Sequence, residues 1–302
     1  MAATLTTSTA FRTLKATLEA IVTDDSNVGE LSCTKYMDEM SMTDNYYDDL
    51  ENGGPGLVTE KYEGTALDVL SLYEGAITRY IPRKFGGILQ ITEELDEDGK
   101  YNDQYVNAAA RLKRAVYKTL ETDCANVINR ATSSSYVGGD GLSLASSSHT
   151  LPGGGGTFSN TLATAFSPSR AAMIVVRNNL AVLPGHDGIV EGYEPKSVVF
   201  HPTQWGVWMG ILGSANVPES PNNEVNVVKT EMGIKPIECK FLTSTTNWSV
   251  VTNAKRGLIL FWRRKPKART WYDEAMEIIN YGISARWARG WTDPRGFYFS
   301  NA

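Results

Sequence analysis

The sequence predicts an α+β fold, with helices and strands mixed rather than alternating as regular βαβ units. Three observations point there. A helix-spaced apolar stripe runs unbroken through DQYVNAAARLKRAVYKTLETDCANVINRAT (103–132). Short apolar runs, SVVF, WSVV and LILF, recur after residue 195 and read as buried strands. No G-x-G-x-x-G turn leads from a strand into a helix. With 302 residues, 42% apolar and 21% charged, the chain has the length and composition of a folded protein with a substantial core.

The elements follow in order. Phe11, Leu14, Leu18 and Ile21 recur at three- and four-residue steps and predict an amphipathic helix over 8–22. Between Asp24 and Gly56 the chain turns acidic around Tyr46 and Tyr47 and ends in NGGPG, which predicts an extended arm shaped by its neighbours. In residues 57–98, Ile77, Arg79 and Ile81 alternate toward RKFGG before ILQITEEL, which predicts two long strands paired as a protruding hairpin. Such a hairpin is an exposed edge in a monomer, so it predicts burial against another subunit.

Asn102 or Asp103 then caps the long helix, whose stripe is Tyr105, Ala109, Leu112, Val116, Leu120, Cys124, Val127 and Ala131. At about 1.5 Å per residue it extends roughly 40 Å, a beam across its domain. A serine- and glycine-rich stretch, DGLSLASSSHTLPGGGGTFSN (140–160), predicts a pliable loop. Ser167 and Pro168 open a second helix over 167–183, and Thr203 opens a short one over 203–213. Strands follow at 197–202, in the alternating run from 222, at WSVVTN, at GLILFW and in the aromatic C-terminal MEIINYGISARWARGWTDPRGFYFS.

Charge is divided unevenly. Residues 1–100 hold 19 acids and 8 bases, whereas residues 101–302 hold 15 acids and 21 bases, within a net charge of -5. Two surfaces of opposite sign on one chain suit self-association. Cys33, Cys124 and Cys239 lack metal or redox spacing and read as buried reduced thiols. No run nears the eighteen or so apolar residues of a membrane helix, and the N-terminus lacks the continuous apolar region of a signal peptide. A soluble chain with no membrane partner is expected.

Catalytic and cofactor motifs are missing. PGGGGTFSN lacks the lysine of a phosphate-cradling loop. His149 lies among serines without a G-x-S-x-G elbow, and His149, His186 and His201 show no metal spacing. The expectation is no enzyme, no cofactor and no metal. The basic run WRRKPKARTW places Arg263, Arg264, Lys265, Lys267 and Arg269 between two tryptophans, fit for a phosphate backbone or for the acidic arm.

The order of parts, arm, long hairpin, spine-like helix, glycine-rich loop, α+β body and returning strands, resembles the major capsid proteins of tailed bacteriophages, the Hong Kong 97-type fold. Residues 140–180 carry the resemblance, as a "DG, short strand, Ser/Thr, His, Gly-rich loop, Asn-Leu, helix" passage. PKSVVFHPTQWGVWMGIL, NNEVNVV and YGISARWARGWTDPRGFYFS match further passages in order. Thr150 departs from the pattern, since many relatives have proline after the histidine.

The resemblance implies an arm (1–56), an extended loop (57–98), a peripheral domain around the spine helix (99–165 and 259–302) and an axial domain (166–258). It implies a shell of pentamers and hexamers around double-stranded DNA, a virion location after assembly in the host cytoplasm, and scaffolding, portal and decoration proteins as partners. A scaffold is expected as a separate chain. Tyr46, Tyr47, Arg79, Arg83, Lys84 and Phe85 become candidate subunit contacts. Lys61 and Lys84 lie in the expected loop, but no asparagine and acid match them, so no covalent crosslink is expected. An encapsulin-type cellular shell shares the fold and encloses protein cargo instead. A glycan-active enzyme or binding module would account for the tryptophans and tyrosines but needs a carboxylate pair in a cleft.

Overall fold

The computed structural model describes residues 30–70, 72–92, 94, 102–154, 156–216 and 225–301. The helix expected over 8–22, the end of the expected hairpin at 95–98 and the side chain of Tyr105 lie outside the described residues.

Of the segment read as an arm, the described residues 33–52 are part of the body. Helical turn α1 (Cys33–Tyr36) and strand β1 (Asp38–Ser41) lead into β2 (Tyr47–Asn52), and Cys33, Tyr36 and Met37 are buried in the main core. Acidic composition masks this: three apolar side chains suffice to dock a short segment, and composition averaged over thirty residues does not register them.

The expected hairpin also pairs differently. Residues 57–98 contain two strands, β3 (Glu74–Tyr80) and β4 (Arg83–Thr92), but they do not pair with each other. β3 runs antiparallel to β2, joining Tyr47 to Tyr80 and Leu50 to Ile77. β4 runs antiparallel to β11 (Ile278–Trp291), joining Lys84 to Arg286 and Thr92 to Ile278. Only Ile81 and Pro82 separate the two strands, and proline lacks the N–H that a ladder needs. The protruding hairpin is therefore β2–β3, with residues 53–73 as its tip.

The long stripe forms helix α2 (Asn102–Asn129), 28 residues as expected. Val116, Leu120, Cys124, Val127 and Ile128 enter the main core. Asp123 pins the helix to β11, accepting from Trp287 Nε1 at 3.0 Å and pairing with Arg289 at 2.6 Å. The three cysteines share that core as free, buried thiols; the hydrogen bond with Cys33, then burial, push the Cys124 thiol well up.

Beyond α2 come β5 (His149–Thr150), β6 (Thr157–Phe158), α3 (Arg170–Ala181), β7 (Pro195–Phe200), α4 (Trp205–Gly213), α5 (Val227–Thr230), β8 (Lys235–Glu238), β9 (Trp248–Thr252), β10 (Leu258–Asp273) and, after β11, β12 (Phe297–Ser300). One sheet has the order β1-β10-β11-β4 and the other β12-β9-β7-β8. Val199, Ile237, Val251, Phe297 and Phe299 of the second sheet face the core under α2. Val198, Phe200, Trp248, Val250 and Tyr298 face a second core under α3 and α4. Burial on both faces is why SVVF, WSVV and FYF read as continuous apolar runs rather than alternating ones.

The C-terminal strand β12 thus completes the second sheet, although 259–302 was expected to join the spine helix as one unit. Where the chain passes between sheets, Gly257 and Gly296 touch: a Cβ on Gly296 would stand 2.2 Å from Gly257 Cα. Any side chain there would force the two segments apart.

Candidate assembly interface

Among the described residues, none covers the tip of hairpin β2–β3. Leu57, Val58, Tyr62, Leu67 and Leu72 are all exposed, and Val69 is 96% exposed. Apolar side chains in this number on one protruding segment mark a contact surface. Among them stand Glu60, Glu63 and Asp68 against Lys61.

The hairpin's root is held by two buried carboxylates, Asp49 and Glu51. Asp49 pairs with Arg256 at 2.5 Å and accepts from Thr292 Oγ1 at 2.6 Å, and Thr292 in turn bonds the Tyr80 hydroxyl at 2.8 Å. Arg295, fully buried, donates from Nη1 to Glu51 Oε1 at 2.9 Å and to Asp293 Oδ1 at 3.1 Å. Its Nε donates to the Pro184 carbonyl at 2.9 Å, and its guanidinium lies 4.3 Å over Phe158. One arginine thereby joins the hairpin, the 184–193 loop and the turn before β12.

The candidate contact residues divide accordingly. Tyr46 is exposed under the Arg79 guanidinium at 4.4 Å, and Arg79 grips Asp48 through two bonds of 2.6 and 2.7 Å. That bond from Arg79 holds the Asp48 carboxyl below its usual range. Tyr47 and Phe85 are half-buried: Tyr47 packs 5.0 Å from Phe261, and Phe85 stacks on Trp287 at 4.1 Å, so both rings contact the chain's own core. Sequence spacing does not separate an aromatic that packs inward from one that awaits a partner. Arg83 and Lys84 are exposed on β4.

The basic run is no strand end; it forms the middle of the 16-residue β10. Cross-strand register puts Arg264 beside Arg286 and Lys84, Lys267 beside Ser284 and Gly86, and Arg269 beside Gly282 and Ile88. Ala268, Tyr281 and Leu89 pack toward α2, so these cations share the opposite face. Gly86, Gly282 and Ser284 floor a trench of about 650 Å³ between them, with Trp271 at one end. Arg264 donates to Ser284 Oγ at 2.7 Å while its Nε is buried without a partner. None of Lys84, Arg264, Lys267, Arg269 and Arg286 has an acid partner among the described residues. Arg263 and Lys265 sit where the pairing slips. Arg286 and the glycines went unnoticed in the sequence because only strand register brings them to β10.

A family model described as "Phage capsid protein" matches residues 75–300. The chain belongs to the phage capsid protein family. Solved structures share the fold. The bacteriophage PhiM1 mature capsid aligns with TM-score 0.55 and 12% identity over 92% of this chain and 88% of the other. Microbacterium phage Oxtober96 aligns with TM-score 0.54 and 9% identity over 90% and 91%. A virus-like particle from Pyrococcus furiosus aligns with TM-score 0.52 and 11% identity over 96% and 98%. No curated protein matches in sequence. The chain is a major capsid protein, a structural subunit of a viral shell.

In this capsid protein the motif residues of the 140–160 passage are structural. His149, buried, bonds Asp140 Oδ2 through Nδ1 at 2.6 Å and faces Phe158. Buried Asn160 donates to the carbonyls of Leu144 at 2.6 Å and Pro294 at 3.0 Å and accepts from the Ser146 N–H at 2.9 Å. The glycine run closes the two-residue ladder of β5 and β6. It is tethered rather than pliable where described: Gly153 N–H donates to the His186 carbonyl at 3.0 Å, and Gly154 has a φ of 76° that disfavours a Cβ.

Proposed function

We propose that this subunit assembles as pentamers and hexamers into an icosahedral head around double-stranded DNA, and that the β2–β3 tip is the element that locks neighbours together. The observation that carries the reading is the uncovered tip of residues 53–73, rich in apolar side chains and net acidic. The trench on β10, β11 and β4 has the complementary chemistry, with Lys84, Arg264 and Arg269 lining it beside exposed Ile88 and Trp271, and Lys267 and Arg286 on the same face of the sheet. The tip of one subunit lies in the trench of the next. The body between residues 166 and 258 gathers at the five- and six-fold axes, the subunit acts by binding alone, and any scaffolding, portal and decoration proteins dock on the assembled shell.

The test is expression of the full chain, with mass by light scattering and electron micrographs of the heavy fraction. Capsomers or closed shells containing nucleic acid are expected. A monomer at every concentration and salt condition would overturn the reading. Shells filled with protein would favour the cellular compartment, the second reading that the archaeal virus-like particle's shared fold keeps in view.

A further inference from the structure

At the root of the hairpin, three side chains from three distant segments converge: Glu51 on β2, His186 on the 184–193 loop and Asp293 in the turn before β12. Their ligating atoms all lie within 4.8 Å of one another. His186 Nε2 stands 3.1 Å from Glu51 Oε1 and 3.8 Å from Asp293 Oδ2. Two ligands bound at about 2.0–2.1 Å to a tetrahedral centre stand roughly 3.4 Å apart, between those two separations. We infer that Glu51, His186 and Asp293 form a divalent transition-metal site, zinc by ligand type, that clamps the hairpin to the two bodies of the subunit.

The carboxylate of Asp293 is only half engaged, on the side away from His186. Arg295 takes Oδ1 of Asp293, and Oδ2 has no hydrogen bond among the described residues.

Access and ligand type complete the case. Glu51, His186 and Asp293 line a cleft of about 440 Å³ that opens to solvent, while Arg295 is not on its wall. A cation enters from the cleft and meets the open Oδ2 of Asp293, while Glu51 Oε1 also keeps its bond from Arg295 Nη1, and water fills the remaining coordination. One imidazole with two carboxylates suits zinc better than calcium or magnesium, which favour all-oxygen shells. The three residues lie more than a hundred positions apart from one another, except that no spacing within either neighbouring segment hints at a ligand set, so no sequence motif announces them.

The experiment uses the untagged full chain, incubated with zinc, dialysed and analysed for metal by mass spectrometry, beside His186→Ala. About one zinc per chain is expected, with a loss of roughly tenfold or more in the variant. No retained zinc in the parent chain, or equal zinc in parent and variant, overturns the site. Because the variant could fail to fold, cobalt is also added to the parent chain. A visible absorption band of tetrahedral cobalt, displaced by zinc, supports the site, and its absence counts against it. Both ratios are read whatever the oligomeric state, so failure of the shell reading and failure of the metal site are distinguishable.

Discussion

At the scale of single residues, a few buried polar side chains organise the chain, and they are those of its family-like passages. The fully buried Arg295 side chain makes four hydrogen bonds to three segments, to Glu51, to Asp293 and to the Pro184 and Gly185 carbonyls, and lies over Phe158 of a fourth. Arg295→Met leaves Glu51 and Asp293 uncompensated, and loss of about 3–5 kcal/mol is expected in chemical denaturation. Lysine does not replace it, because a point charge cannot repeat the planar fork. Asp140 gives a pH dependence. Burial opposes its charge, but the hydrogen bonds from His149 and from the Leu142 N–H outweigh it and hold the carboxyl below its ordinary 3.8. An acid whose folded pKa is lowered contributes stability above the unfolded value and loses it as pH falls through the folded one. The thermal midpoint should therefore drop as pH falls below about 4, and Asp140→Asn should flatten that acid limb; an unchanged limb would exclude this pair as its source.

Elements show a different balance of causes. Helix α2 needs no tertiary information: its stripe and its lack of breakers specify it, and Leu120→Ala should cost about 2–5 kcal/mol, as for other fully buried leucines. Strand pairing is another matter. β3 and β4 read correctly as strands, yet β3 meets β2, which precedes it across the tip, and β4 meets β11, roughly two hundred positions away. The close pass of Gly257 and Gly296 belongs here too. Gly296→Ala should destabilise by about 1–3 kcal/mol through overpacking, measurable as a lowered denaturation midpoint, whereas substitution at exposed Gly54, with open space around it, should be nearly silent.

For the whole molecule, the division of charge becomes a matter of surfaces. On the proposed pairing, the acidic half supplies the hairpin tip and the basic half most of the trench, to which β4 adds Lys84, so assembly should weaken as salt rises and screens the contact. Charge reversal tests the pairing directly. Lys84→Glu with Arg269→Glu should leave a folded subunit that fails to form shells, because both side chains are exposed and pair with no acid among the described residues. Adding Glu60→Lys and Glu63→Lys should restore part of the assembly, read by sedimentation and micrographs. Failure of the reversal to affect assembly would remove the trench from the interface.

Local pattern alone determined the α+β class, the full span of the long helix, the buried thiols and the likeness to phage capsid proteins. Each rests on neighbours within a few turns or on apolar periodicity, which the chain carries wherever it folds. Tertiary structure decided that β2 rather than β4 partners β3, that residues 33–52 join the body, that Tyr47 and Phe85 turn inward, and that Lys84 and Arg286 complete the basic face. It also brought Glu51, His186 and Asp293 to one point. Register and long-range docking are settled by the summed burial of both sheets, a quantity no local window of sequence contains.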